Sequence, residues 1–209
     1  MTTLYIPNDV VIQGNLAWTG TVNEIARGSL IQSPLASYPF NLVNLRVHDA
    51  PQTNLPGTST SDDLGLYGTA FGTAALYVAT YDVKNAGAVT LYARGMFPIP
   101  PEYDTGQTAK IRVKAGMITT VASATATVDL EAYLTDKFGA VSGSDLVTTA
   151  AQSINSLTEA DKDFVLTTTN LAPGEWLDFR LALAVNDSAT GTAVIAAVGS
   201  LEFLLDIRG

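Results

Sequence analysis

The chain of 209 residues has no cysteine, a single histidine and only two tryptophans. The absence of cysteine excludes disulfides, thiolate metal sites and cysteine nucleophiles. Charge is scarce: 15% of residues are charged, and 20 acidic against 11 basic side chains leave a net charge of −9. That balance repels phosphate backbones and argues against direct nucleic-acid binding. No apolar run approaches the ~20 residues needed to span a bilayer, and the best, 194–198, is far too short. The first residues lack the basic start and apolar core of a secretory signal. A soluble protein made in a cytoplasm, with no membrane partner, is therefore expected.

What is present points to β-structure. The chain is 47% hydrophobic, with 17 glycines and 9 prolines, a composition that disfavours a helical bundle. The clearest stretch is 175–187, EWLDFRLALAVND. Leu177, Phe179, Leu181, Leu183 and Val185 share one parity, while Trp176, Asp178, Arg180, Ala182, Ala184 and Asn186 share the other. A period of two over this length is a strand with one face in a core, and Pro173-Gly174 and Asn186-Asp187 bound it with turn chemistry.

The same alternation recurs at 75–82, 89–98, 110–115, 124–134 and 192–207, with Leu201, Phe203, Leu205 and Ile207 on the inner parity of the last. Residues 42–47 read as the first strand of the globular part, 145–149 as a short strand, and 163–168 as another. Residues 150–155 are open between a helical turn and a strand. Pro100-Pro101 cannot sit in a central strand and marks a crossing over a sheet end. Eight or nine strands without a convincing helix predict an antiparallel β-sandwich, jelly-roll-like, over 41–209.

Residues 1–40 read differently. Short apolar pieces cut by Gly, Pro and Asn are too broken for a core of their own. An extended N-terminal arm is expected, with Leu4, Tyr5, Ile6, Val11, Ile12, Leu16 and Trp18 contacting a partner or sister subunits, since such side chains are a liability on a free tail.

No residue set makes a catalytic site, so no enzyme activity, cofactor or metal is expected. His48 reads as a strand-end histidine without a role, and Asp62-Asp63 as loop carboxylates lacking the spaced oxygen ligands of a calcium site. Asp129 and Glu131 share one strand face roughly 7 Å apart, a separation compatible with glycoside chemistry, but they read as a solvated face. Lys110, Arg112 and Lys114 form a basic stripe, read as a charged exposed or edge face.

The order of the phrases FNLVNLRVHDA, LPGTSTSDDLGLYG, ARGMFPIPPEYDTGQTAKIRVKAGMITTVA, ATVDLEAY, AAQSIN and LLDIRG, over about residues 40–209, resembles tailed-bacteriophage head decoration (cement) and head-fibre-type virion proteins. The resemblance implies a jelly-roll-like homotrimer on the outer capsid surface of the virion, bridging units of the major capsid protein, with no catalytic residues. The alternative is a fibre or receptor-binding module gripping a host surface glycan, for which Tyr67, Phe71 and Tyr103 are the candidate aromatic platform.

Overall fold

The alternating stretch at 175–187 is strand β10, Trp176–Asn186, in the computed structural model, which describes residues 35–135 and 141–207. Its inward side chains Leu177, Phe179, Leu181, Leu183 and Val185 are all buried, as the parity requires. Four other strands are equally long: β4 (Ala88–Pro98), β5 (Ala109–Thr119), β6 (Thr125–Thr135) and β11 (Ile195–Leu205). The shorter ones are β1 (Ala36–Phe40), β2 (Gly65–Tyr67), β3 (Tyr77–Ala79), β7 (Val141–Ser142), β8 (Gln152–Ser153) and β9 (Ala160–Val165).

These strands form two antiparallel sheets. One runs β2-β3-β11-β5-β9, with β1 also on β11; the other runs β4-β10-β6-β7, with β8 also on β6. The inner faces bury one continuous apolar core. The described residues thus form an all-β, jelly-roll-like sandwich. Among the described residues no helix is long and apolar enough to cross a membrane.

Aromatic rings join the two layers. Phe203 of β11 stacks on Phe97 of β4 with centroids 3.7 Å apart, and meets Phe179 of β10 edge-on at 5.5 Å. Phe40 of β1 closes the cluster edge-on to Phe179 at 5.2 Å. Gly95 makes room for it, because a Cβ there would lie 2.4 Å from Phe179 Cζ and 3.0 Å from Phe40 Cζ. The Phe179 ring cannot withdraw, being held by Phe40 and Phe203. Gly95→Val is therefore expected to destabilise the domain by about 1–3 kcal/mol. Urea unfolding checks this, and an unchanged midpoint would mean the cluster is loosely packed.

Three local expectations need correction. Residues 42–47 form no strand: Leu42–Asn44 is a 3-10 turn started by Asn41, whose side chain accepts the Val43 N–H. Only Arg46 pairs, exchanging backbone hydrogen bonds with Arg94 at 2.8 and 2.9 Å. Residues 145–149 supply only an isolated bridge, Val147 to Leu166, in place of a short strand; within 150–155, open between helical turn and strand, Gln152–Ser153 form β8. In β11 Leu201, Phe203 and Leu205 are buried as expected, but the single parity expected over the whole stretch fails: before the bulge at Gly199 the inner residues are Ala196 and Val198. An extra residue on one strand shifts every later side chain to the opposite face.

Residues 36–40, expected in the arm, pair with β11 and extend the sandwich back from 41. The arm residues Leu4, Tyr5, Ile6, Val11, Ile12, Leu16 and Trp18 lie outside the described residues. The basic stripe is largely neutralised within its own sheet. Arg112 donates to Asp163 at 2.6 and 3.0 Å and lies 3.8 Å from both Asp161 and Glu202, and Lys110 is 3.6 Å from Asp163. Asp161 and Asp163 stand on the edge strand β9, where charge opposes pairing with another chain.

Candidate functional site

The outer face of the β4-β10-β6 sheet carries a groove. Its geometry comes from the register. Arg94, Arg180 and Glu131 form one cross-strand row; Tyr92, Ala182 and Asp129 form the next; Thr90, Ala184 and Thr127 the third. The middle strand thus offers methyl groups where its neighbours offer longer side chains, leaving a trough floored by Ala182 and Ala184. The walls stand two strand spacings apart, roughly 9–10 Å. Ala151, from the loop before β8, borders the same trough. The cavity between Tyr92, Asp129 and Arg180 has a volume of about 280 Å³. A shallower continuation of about 290 Å³ runs past Thr90 and Thr127 to Asn186.

One end is closed by ion pairs. Arg180 Nη2 donates to both Glu131 carboxylate oxygens at 2.9 and 2.8 Å, and its guanidinium lies 4.6 Å from the centroid of the Tyr92 ring. Arg94, from the same row, reaches Asp178 in the adjoining one: its Nε donates at 2.7 Å, and its Nη2 pairs with the other oxygen of this buried carboxylate. Positioned guanidinium forks of this kind hold the closed end rigid.

Tyr92 is also supported from the open edge of β4. Leu64 N–H donates to the Tyr92 carbonyl at 2.9 Å and Tyr92 N–H to Asp62 at 2.7 Å, which lays residues 62–64 along that strand. His48, brought in behind Arg46, packs on the Tyr92 ring at 4.9 Å. Its Nδ1 faces Asp63 at 3.4 Å and its Nε2 faces Asp62 at 3.5 Å. His48, expected as a strand-end histidine without a role, is therefore a buttress of Tyr92 with two carboxylate partners. The trio offers one imidazole and two carboxylates, a donor set a divalent cation accepts. One ligand atom from each of the three lies within 4.8 Å of the others.

Asp129 is the exceptional acid of the groove. Its Oδ1 accepts the Leu130 N–H at 2.9 Å. Burial pushes its carboxyl above the ordinary range; that hydrogen bond opposes the shift, Glu131 and Asp145 add to it, and Arg180 reduces it. A raised folded-state pKa contributes stability that is fully present below the unfolded value and lost as pH rises through the folded one. At neutral pH the ionised Asp129 thus disfavours the fold. Asp129→Asn is expected to melt at or above the parent's temperature at about pH 7, with the gap closing toward about pH 3. Thermal denaturation across that range checks the sign, and a variant less stable at pH 7 contradicts it.

Asp129 and Glu131, expected on a plain solvated face, line this groove instead. Periodicity identifies the face of a strand, but the recess depends on alanines of β10, some fifty residues away in sequence. The expected aromatic platform does not assemble. Tyr103 is fully buried and donates its hydroxyl to the Gln107 carbonyl at 2.7 Å. Tyr67 stacks on Tyr77 at 5.4 Å and its hydroxyl accepts the Ser59 N–H, while Phe71 projects into solvent from a separate loop. Trp176, half-exposed, lies on the groove's sheet beyond the ion pairs.

No protein-family profile matches the chain, and no curated protein does. Solved structures are similar in fold at low identity. A xylan-binding module, CBM15, aligns with a TM-score of 0.44 and 12% identity, covering 84% of this chain and 100% of its own. The CBM22-1 xylan-binding domain of Paenibacillus barcinonensis Xyn10C aligns at 0.37 and 12%, covering 70% and 81%. The infectious bursal disease virus Gx strain structure aligns at 0.27 and 15%, covering 69% and 39%. The likeness concerns the β-sandwich alone.

Proposed function

We propose that the protein is a glycan-binding module whose ligand lies along β10 on the outer face of the β4-β10-β6 sheet. The observation that carries this reading is the trough itself. It has an apolar alanine floor between walls bearing hydroxyls (Thr90, Thr127, Tyr92) and a carboxylate (Asp129). A polymer of polyhydroxylated rings presents apolar ring faces and equatorial hydroxyls together, and so needs both kinds of surface at once. The trough is open along its length, from Arg180 to Asn186, about 20 Å by strand rise, which suits a chain better than a compact ligand. Its side chains stand on three regular strands and require no folding on binding, which limits the entropy lost. The role is binding without chemistry: both oxygens of Glu131 are held by Arg180.

This is the host-glycan alternative of the sequence reading, moved to different residues. The capsid-decoration expectation, with its homotrimer and major capsid protein partner, rests on the resemblance and on arm residues outside the described part of the chain. Native gel electrophoresis through soluble polysaccharides tests the glycan reading. Retardation of the parent in at least one polysaccharide, abolished by filling the trough at Ala182, supports it. Retardation that survives the filled trough, or none across neutral, acidic and amino polysaccharides, overturns it.

A further inference from the structure

With a glycan in the trough, the reading on which this inference rests, the charge around Asp129 narrows the ligand class. The groups facing Asp129 are Glu131 on its own strand, Asp145 from the loop after β7, Arg180 on β10 and Tyr92 across the trough. Three carboxylates thus meet one cation. That cation is engaged elsewhere, since Arg180 Nη2 donates to both oxygens of Glu131 while its guanidinium caps Tyr92. Asp145 also has its partners, its Oδ1 accepting the Ala132 and Val147 N–H groups at 2.9 and 3.0 Å. Asp129 is left half-buried in the trough wall with a hydrogen bond from its neighbouring amide and no ion pair among the described residues. A partly desolvated carboxylate beside two others repels uronic, sialic or sulfated sugars and gains most from a cation.

We infer that the groove takes a glycan containing an amino sugar, with the ligand's ammonium seated on the Asp129 carboxylate beside Ala182. An ammonium supplies charge and N–H donors together, which a hydroxyl cannot. Asp129 is partly withdrawn from water in the trough wall, so the pair is stronger there than on a fully open surface. Asp129 is then the specificity-determining residue, and the rest of the trough holds the sugar rings.

The test is calorimetric titration with a glucosamine tetramer, its fully N-acetylated counterpart and a neutral tetramer such as cellotetraose, at about pH 6, where an ordinary amine is protonated. The glucosamine tetramer is expected to bind about tenfold more tightly than either, the scale of one charge-assisted hydrogen bond. Asp129→Asn should erase that preference. Asp82→Asn, a change in the loop after β3, should leave it intact, which separates the site from general attraction of a polycation to an acidic protein. Equal or tighter binding of the acetylated or neutral tetramer, still lost on filling the trough, overturns the amino-sugar assignment and leaves the groove standing. Binding that survives a filled trough removes the groove reading and this inference together. A preference that Asp82→Asn weakens as much as Asp129→Asn also overturns the assignment, because the attraction is then to net charge.

Discussion

Phe203→Ala is expected to destabilise the domain by about 3–5 kcal/mol, the range for truncating a fully buried aromatic ring. Phe203 is 0% exposed and stands where the two sheets meet. It stacks on Phe97 across the layers and packs edge-on against Phe179 and Phe40. Removing the ring loses its transfer free energy, and it also leaves a void bounded by three other rings. Those rings cannot collapse into it. Phe179 and Phe97 are fixed by the long β4-β10 pairing, and Phe40 is fixed by β1 pairing on β11 itself. A domain stable by about 5–15 kcal/mol loses a large share of that margin. Urea titration at 25 °C reads the change, with Phe203→Leu as the milder companion. A loss under about 1 kcal/mol with an unchanged slope would show that the layers repack and that no single ring locks them together.

The largest functional effect is expected from Ala182→Trp. Ala182 sits between Tyr92 and Asp129 on the floor of the trough. An indole there fills space the ligand must occupy, so affinity for whichever polysaccharide retards the parent should fall at least about a hundredfold, about 2.7 kcal/mol. The side chain points away from the core, so stability should shift by no more than about 0.5 kcal/mol. This separation makes it a sharper probe than Arg180→Ala, which would release Glu131 and uncover Tyr92 together. Matching circular dichroism and melting of variant and parent, with retardation lost, is the expected outcome. Undiminished retardation would place the binding surface elsewhere on the molecule.

Much of the architecture is legible from local pattern. Period two at 89–98, 110–115, 124–134 and 175–187 marks strands and also which side of each is buried, because successive side chains on a strand must point to opposite faces. Prolines 100 and 101 mark the crossing between β4 and β5 for an equally local reason. Where local rules compete, the reading slips. At 42–47 an apolar run has the look of a strand, but the Asn41 cap turns its start into a 3-10 helix. In β11 one glycine at a bulge reverses the parity of half the strand. Tyr103, beside two prolines, has the setting of a loop aromatic, yet the crossing folds it wholly inward.

The groove belongs to a different level. That Asp129 and Glu131 share an outward face is dictated by the sequence alone, as are the outward positions of Arg180, Ala182 and Ala184 on their own strand. Nothing local says that β10 lies between β4 and β6, and only that order sets small alanines between Tyr92 and Asp129 and brings Arg180 onto Glu131. His48 and Asp63 meet for the same reason, through pairing of residues 46 and 62–64 with β4. By itself the sequence determined the long strands β4, β5, β6 and β10, their buried faces and the all-β class, because these depend on alternation between near neighbours. The tertiary structure alone decided the site, because a recess and its charge balance are sums over strands distant in the chain, set by pairing order and register.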